Sequence, residues 1–196
     1  MTSTGPREGK SVVASNLAVV LAQAGRRVLL IDADMRRPQV HEWFDRPQQP
    51  GLSGTLVTKG NVTSSVHQSD IPGLDILTAG SPQPNPAELL GSPMFRKVLD
   101  TVSPTYDHVI VDCPPVMAVT DAAIVGHEVS GVVFVVGTDM AARGAARTAV
   151  DELLGARANI LGAVLNRVDL KGNTYYYSRY YRPEYERYYS GRASRS

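Results

Sequence analysis

Thr2-Ser3-Thr4-Gly5-Pro6-Arg7-Glu8-Gly9-Lys10-Ser11 runs directly into Val12-Val13-Ala14-Ser15-Asn16-Leu17, and the reading of this stretch decides the fold. A loop ending Gly-Lys-Ser can turn backbone N–H groups around a phosphate, place an ammonium on its outer oxygens and offer a hydroxyl to Mg²⁺. Gly9, Lys10 and Ser11 stand where those tasks fall. Together with Gly5, Pro6, Arg7, Glu8 and Val12 they make the candidate nucleotide cradle. Apolar residues at Val12, Val13, Leu17, Val20 and Leu21 have helical spacing, which predicts a helix that points its unpaired N-terminal donors at the anion. The usual pattern has glycine five residues before Gly9, and here that position is Thr4. Gly-Lys-Ser by itself also occurs in surface turns, so the reading depends on what the rest of the chain supplies.

Working outward, residues 27–33 (Arg-Val-Leu-Leu-Ile-Asp-Ala) form a continuous apolar run of the kind that suits a parallel strand buried on both faces. Asp32 and Asp34 then lie at its carboxyl end, where open α/β sheets bind ligands. Residues 108–112 (His-Val-Ile-Val-Asp) repeat the pattern, and residues 131–136 and 160–165 give two more buried strands. Residues 47–93 are rich in glycine, proline and polar side chains, with a strand expected at 74–78. Short helices are expected at 41–44, from Asn85-Pro86 onward, at 92–102 and at 141–154. Strand alternating with helix implies an α/β three-layer sandwich with a mainly parallel sheet over residues 1–170.

Beyond residue 170 apolar periodicity ends. Eight of the nine tyrosines fall within fifteen residues there, among glycine, serine and arginine. Residues 171–196 therefore read as a disordered, low-complexity tail.

The 196 residues suffice for one domain with a substantial core. A formal net charge of +1 predicts neither nucleic-acid binding nor an acidic partner. The single cysteine, Cys113, excludes an internal disulfide framework and agrees with a reducing compartment. No apolar run approaches the roughly 20 residues that span a bilayer, and the N-terminus lacks the features of a signal peptide. A soluble chain is expected. A buried strand ordinarily delivers the chain into a phosphate loop, yet only Met1 precedes Thr2. The expectation is a coding start placed too late, or the excised end of a longer protein, and a sheet with an empty slot and two exposed edges.

Phosphoryl transfer asks of a protein a phosphate cradle, Mg²⁺ and a group that orients the attacking oxygen. Lys10 and Ser11 supply the cradle and a metal ligand, and Asp112, closing its strand, suits a Mg²⁺ partner reached through water. Asp32 can accept a proton from an incoming hydroxyl or orient it. Asp34 is near enough to share the metal site. The catalytic candidates are thus Lys10, Asp32 and Asp34, and the metal candidates Ser11, Asp34 and Asp112. A lone strand-terminal aspartate is more often a cap or turn residue, but two such strands behind one Gly-Lys-Ser loop point to a nucleotide site. Asn166 and Arg167 can pair with and stack on a nucleobase, or simply end a strand in polar residues; the residues alone leave both open. Arg36 and Arg37 suit acidic groups, a neighbouring subunit or a solvated face. The four histidines show no metal-ligand spacing, and Cys113 reads as core.

The loop, Leu-Leu-Ile-Asp-Ala-Asp-Met-Arg-Arg-Pro at 29–38, Val-Ile-Val-Asp-Cys-Pro-Pro at 109–115 and the tyrosine tail together resemble the bacterial tyrosine kinases of capsular and exopolysaccharide biosynthesis, P-loop ATPases related to the Min/Par group. The resemblance implies Walker A, A′ and B motifs of an ATP- and Mg²⁺-dependent kinase. Lys10 and Ser11 match its phosphate and Mg²⁺ positions, Asp32 its base or hydroxyl-orienting position, and Asp34 and Asp112 its metal carboxylates. It further implies that the tail is the substrate, at Tyr175, Tyr176, Tyr177, Tyr180, Tyr181, Tyr185, Tyr188 and Tyr189. Phosphorylation would then pass between subunits of a ring on the cytoplasmic side of the plasma membrane, tuning polymer length and export. A membrane-embedded chain-length-determinant activator, on the same or a separate chain, and a cognate tyrosine phosphatase are the implied partners. Three features depart from the family: Arg7 stands where its loop often has glycine, the strand expected before the loop is missing, and the activator is not in this sequence.

The tail's charge fits such a role. Lys171, Arg179, Arg182, Arg187, Arg192 and Arg195 outnumber Glu184 and Glu186, and each phosphotyrosine adds about −1.5 to −2 charges. A few modifications reverse the sign, which is a switch for assembly. Two rival readings remain. A positioning or partitioning ATPase of the same fold usually carries a lysine where this chain has Gly5, and lacks a tyrosine cluster. A catalytically silent scaffold would act through its Tyr/Arg tail alone.

Overall fold

The computed structural model describes residues 1–169; the tyrosine cluster lies outside the described residues. Residues 1–166 make one compact unit. Within it β2 (Val28–Asp32) lies between β4 (Leu74–Leu77) and β5 (His108–Asp112), parallel to both, and β3 (Val66–Gln68) pairs antiparallel with β4 as the edge. A second ladder, wholly parallel, has the order β1 (Thr2–Ser3), β6 (Val132–Gly137), β7 (Ile160–Asn166). All five residues of β2 are buried, as its unbroken apolar run requires of a strand covered on both faces.

Thr2 and Ser3, read from the sequence as loop, are extended and pair with Phe134 and Val135. The Met1 ammonium donates to the Val111 carbonyl at 2.7 Å, and the Cys113 N–H donates to the Met1 carbonyl at 3.0 Å. Residues 1–3 therefore join the two ladders at their carboxyl ends. Toward their amino ends β5 and β6 do not pair with each other, and a cleft of about 280 Å³ opens between them, lined by Val109, Val111, Val125, Val133 and Leu161 among others.

Helices cover both faces. Leu29, Ile31, Leu77, Phe95, Val98, Phe134 and Leu153 form the larger core, beneath α3 (Leu52–Thr58), α4 (Pro86–Leu90), α5 (Pro93–Val102), α6 (Asp121–Glu128) and α7 (Arg143–Gly155). On the opposite face α1 (Lys10–Gln23) and the one-turn α2 (Val40–Trp43) cover Val28, Leu30, Leu74, Ile76 and Ile110. The three-layer α/β sandwich expected from the sequence is present.

The buried face of α1 is not the one its valines and leucines mark. Ser11, Ala14, Ser15, Ala18 and Ala22 face the sheet, whereas Val12 is 48% and Val20 59% exposed. Small side chains let the helix axis approach the strands, a closeness that the apolar spacing did not reveal. Ala18→Leu should accordingly destabilise the fold by about 1–3 kcal/mol through overpacking, while Val20→Ala should change it by less than about 0.5 kcal/mol. Denaturant unfolding of the two variants checks this.

Candidate nucleotide site

The loop 4–9 leaves β1 and enters α1 at the carboxyl edge of the sheet. Gly9, the N-cap of α1, has φ +90°. A Cβ there would lie 2.2 Å from Asn166 Nδ2, so the position demands glycine for both its conformation and its space. Arg7 is also left-handed, with φ +66°.

Lys10 carries the centre of the site. Its ammonium donates to Ser11 Oγ at 2.9 Å and Asp34 Oδ2 at 3.0 Å, and reaches Asp112 Oδ2 at 3.4 Å. Burial opposes the ammonium's charge, but Asp112 and Asp34 outweigh it and raise Lys10 above its ordinary value. Asp112, at the end of β5, is held above the usual carboxylate range by burial, against the pull of Lys10. Its Oδ1 is buried without a hydrogen-bond partner.

Asp32 ends β2 directly opposite Asp112 and is wholly buried. Burial and the Asp112 charge push it up to about 7, against the backbone donors that favour its anion. Those donors are the N–H of Asp34 on Oδ1 at 3.0 Å and the N–H groups of Gln39 and Val40 on Oδ2 at 3.2 Å. Asp32 thus caps α2 and shapes the turn that presents Asp34. The N–H of Arg37 completes that turn on Asp34 Oδ1 at 3.0 Å.

Lys10, Ser11, Asp32, Asp34 and Asp112 therefore lie together at the carboxyl ends of β2 and β5. Asn166 closes β7 and donates through Nδ2 to the Glu8 carbonyl at 2.9 Å, which puts its amide against the loop. Arg36, for which the sequence left several readings, grips the buried Asp121 at the start of α6 through Nε at 3.0 Å and a second nitrogen at 3.1 Å. Sequence reasoning missed that pairing, since no local pattern links residues 85 positions apart.

Three oxygens, of Ser11, Asp34 and Asp112, already meet one cationic atom, and Asp112 Oδ1 has acceptor capacity to spare. This donor set fits Mg²⁺, a hard cation that keeps several waters and is usually bound by one or two carboxylates with substrate phosphates. Among the described residues no group of three His, Cys, Asp or Glu is placed to hold a metal by itself.

Cys113 follows Asp112 but is buried, and burial pushes its thiol up to about 12. It is a core residue, as read from the sequence. A thiol reagent such as DTNB should leave it unmodified in the native chain and titrate one thiol after denaturation.

A family model described as an AAA domain matches residues 7–149. The chain is 41% identical to the tyrosine-protein kinase YwqD of Bacillus subtilis over 90% of its length and 74% of YwqD's. It is 38% identical to the tyrosine-protein kinase etk of Escherichia coli over 90% of its length but 24% of etk's; it spans about a quarter of the longer relatives it matches. The solved kinase domain of that E. coli protein superposes with a TM-score of 0.80 at 37% identity, over 85% of this chain and 66% of that one. The cell division ATPase MinD of Pyrococcus furiosus shares the fold, with a TM-score of 0.68 at 21% identity over 86% of this chain and 73% of MinD's.

Proposed function

We propose, from the premise that this chain belongs to the bacterial tyrosine-protein kinases built on the AAA domain, that it transfers the γ-phosphoryl group of ATP to tyrosines of its own residues 171–196. The observation that carries this reading is the Lys10 ammonium bridging Asp34 and Asp112 at the mouth of α1. One loop lysine and two strand-end carboxylates are what a magnesium-bound triphosphate needs, and Asp32 sits directly behind them.

In this reading the N–H groups of Gly9, Lys10 and Ser11 cradle the β- and γ-phosphates, and Lys10 leaves the carboxylates for the phosphate oxygens. Ser11, Asp34 and Asp112 would hold Mg²⁺, which when bound would neutralise charge developing on the phosphoryl oxygens. Asp32 orients the tyrosine hydroxyl and takes its proton once the turn at 34–39 releases Oδ2; a pKa near neutrality is suited to that exchange. Asn166, at the end of β7, is the candidate for contact with the nucleobase.

The same premise supports a place in capsular or exopolysaccharide production. Much of the longer relatives lies outside the match, which leaves room for a membrane-embedded activator on the same or a partner chain. Among the described residues no helix is long and apolar enough to cross a membrane, so attachment to the inner face of the plasma membrane would run through that activator. Self-association into a ring and reversal by a tyrosine phosphatase complete the proposal. Its test is transfer of labelled γ-phosphate to the tail peptide. Hydrolysis of ATP with an unlabelled tail would identify a MinD-like positioning ATPase instead.

A further inference from the structure

Glu8 is the acidic residue of the loop, and it is buried although no cation pairs with it among the described residues. A buried carboxylate is tolerated only when its oxygens are satisfied. Here Oε1 accepts the N–H of Gly5 at 2.5 Å and Oε2 the N–H of Gly137 at 2.8 Å. Gly5 belongs to the first turn of the loop and Gly137 to the end of β6. A Cβ on Gly137 would come within 3.2 Å of Glu8 Cγ, so the strand end and the glutamate are closely packed. The backbone of Glu8 is held as well, by the Asn166 amide at the end of β7. On either side, Arg7 and Gly9 have positive φ. A side-chain-bearing residue keeps that conformation only where its surroundings enforce it.

We propose that Glu8 is a positioning residue: its carboxylate, with Asn166 behind it, braces the loop against β6 and β7 and so keeps Arg7 left-handed and the N–H groups of Gly9, Lys10 and Ser11 facing the phosphates. Glu8 does this without touching the nucleotide. The proposal rests on the nucleotide-site reading above but is separable from it, because the brace sets affinity and not the identity of the acceptor.

The test is the dissociation constant of a fluorescent ADP for the full chain, read beside the melting temperature. Glu8→Gln, which leaves one buried N–H without an acceptor, should weaken binding about tenfold. Adding Arg7→Gly should recover most of that loss, since glycine takes the left-handed turn without a brace. Unaltered affinity in Glu8→Gln, or no recovery with Arg7→Gly, overturns the proposal. If Glu8→Gln does not fold, Asn166→Ala decides. It should weaken pyrophosphate as well as ADP, whereas a loss confined to ADP would overturn its part in the brace. A wild-type chain that binds no nucleotide refutes the site and the brace together, and a wild-type chain that binds while Glu8→Gln binds equally refutes the brace alone.

Discussion

Lys10→Met is expected to abolish phosphotyrosine formation, by at least about two orders of magnitude, because a positioned cation on the transferring phosphoryl group is worth that much. The structure adds a second consequence, in the nucleotide-free protein. Lys10 is the counter-ion of Asp34 and Asp112, and removing one partner of a buried ion pair costs about 3–5 kcal/mol. The variant should therefore melt well below the wild type at neutral pH. Mg²⁺ alone should raise its melting temperature, since the oxygens that Lys10 occupied are left to the metal. Wild-type protein should hardly respond to Mg²⁺ without nucleotide, because its own ammonium competes for the same atoms. Thermal unfolding with and without MgCl₂ reads both effects, and an equal response in the two proteins would mean that Lys10 does not guard the metal position.

Replacing the eight tail tyrosines by phenylalanine should remove autophosphorylation completely while leaving ATP affinity unchanged. The proposed cradle lies at residues 5–12, so the substitutions touch none of its groups. Phosphoamino-acid analysis and a nucleotide titration on one preparation separate the two. Label persisting in the globular part, for instance on Tyr106, would show a different acceptor. That residue is a poor one in the fold: its hydroxyl donates to Asp75 at 2.8 Å, and burial with Asp75 raises its pKa strongly.

The parts of this fold that were legible in the sequence are those governed by local pattern. β2 and β5 read as apolar runs ending in aspartate, and their ends do meet at the site, Asp32 opposite Asp112. The span of α1 was legible too, but its buried face was not. Counting valines and leucines chose Val12 and Val20, while the sheet selects serine and alanine for close approach. α3 was hidden because Leu-Ser-Gly-Thr-Leu-Val-Thr is poor in strong helix formers. It is held by tertiary contacts, among them the N–H of Leu52 on the Thr78 carbonyl at 2.7 Å. α6, only eight residues long, has too few turns to show a period.

At the site, residue types announced the chemistry and distance in the chain concealed the arrangement. Glu8 meets Gly137 across 129 positions, and Asn166 meets Glu8 across 158. Such contacts exist only once the two ladders are assembled. The same holds for Asp32, whose double duty as cap of α2 and neighbour of Asp112 gives it a pKa far from that of a surface carboxylate.

The most direct test of the account is mass spectrometry of the peptide covering residues 171–196 after the chain is incubated with Mg²⁺, ATP and a membrane-activator fragment, beside the Lys10→Met variant. The account predicts phosphate on several of the eight tyrosines in the wild type and none in the variant. ATP turned over to ADP while the tail stays unmodified would contradict it.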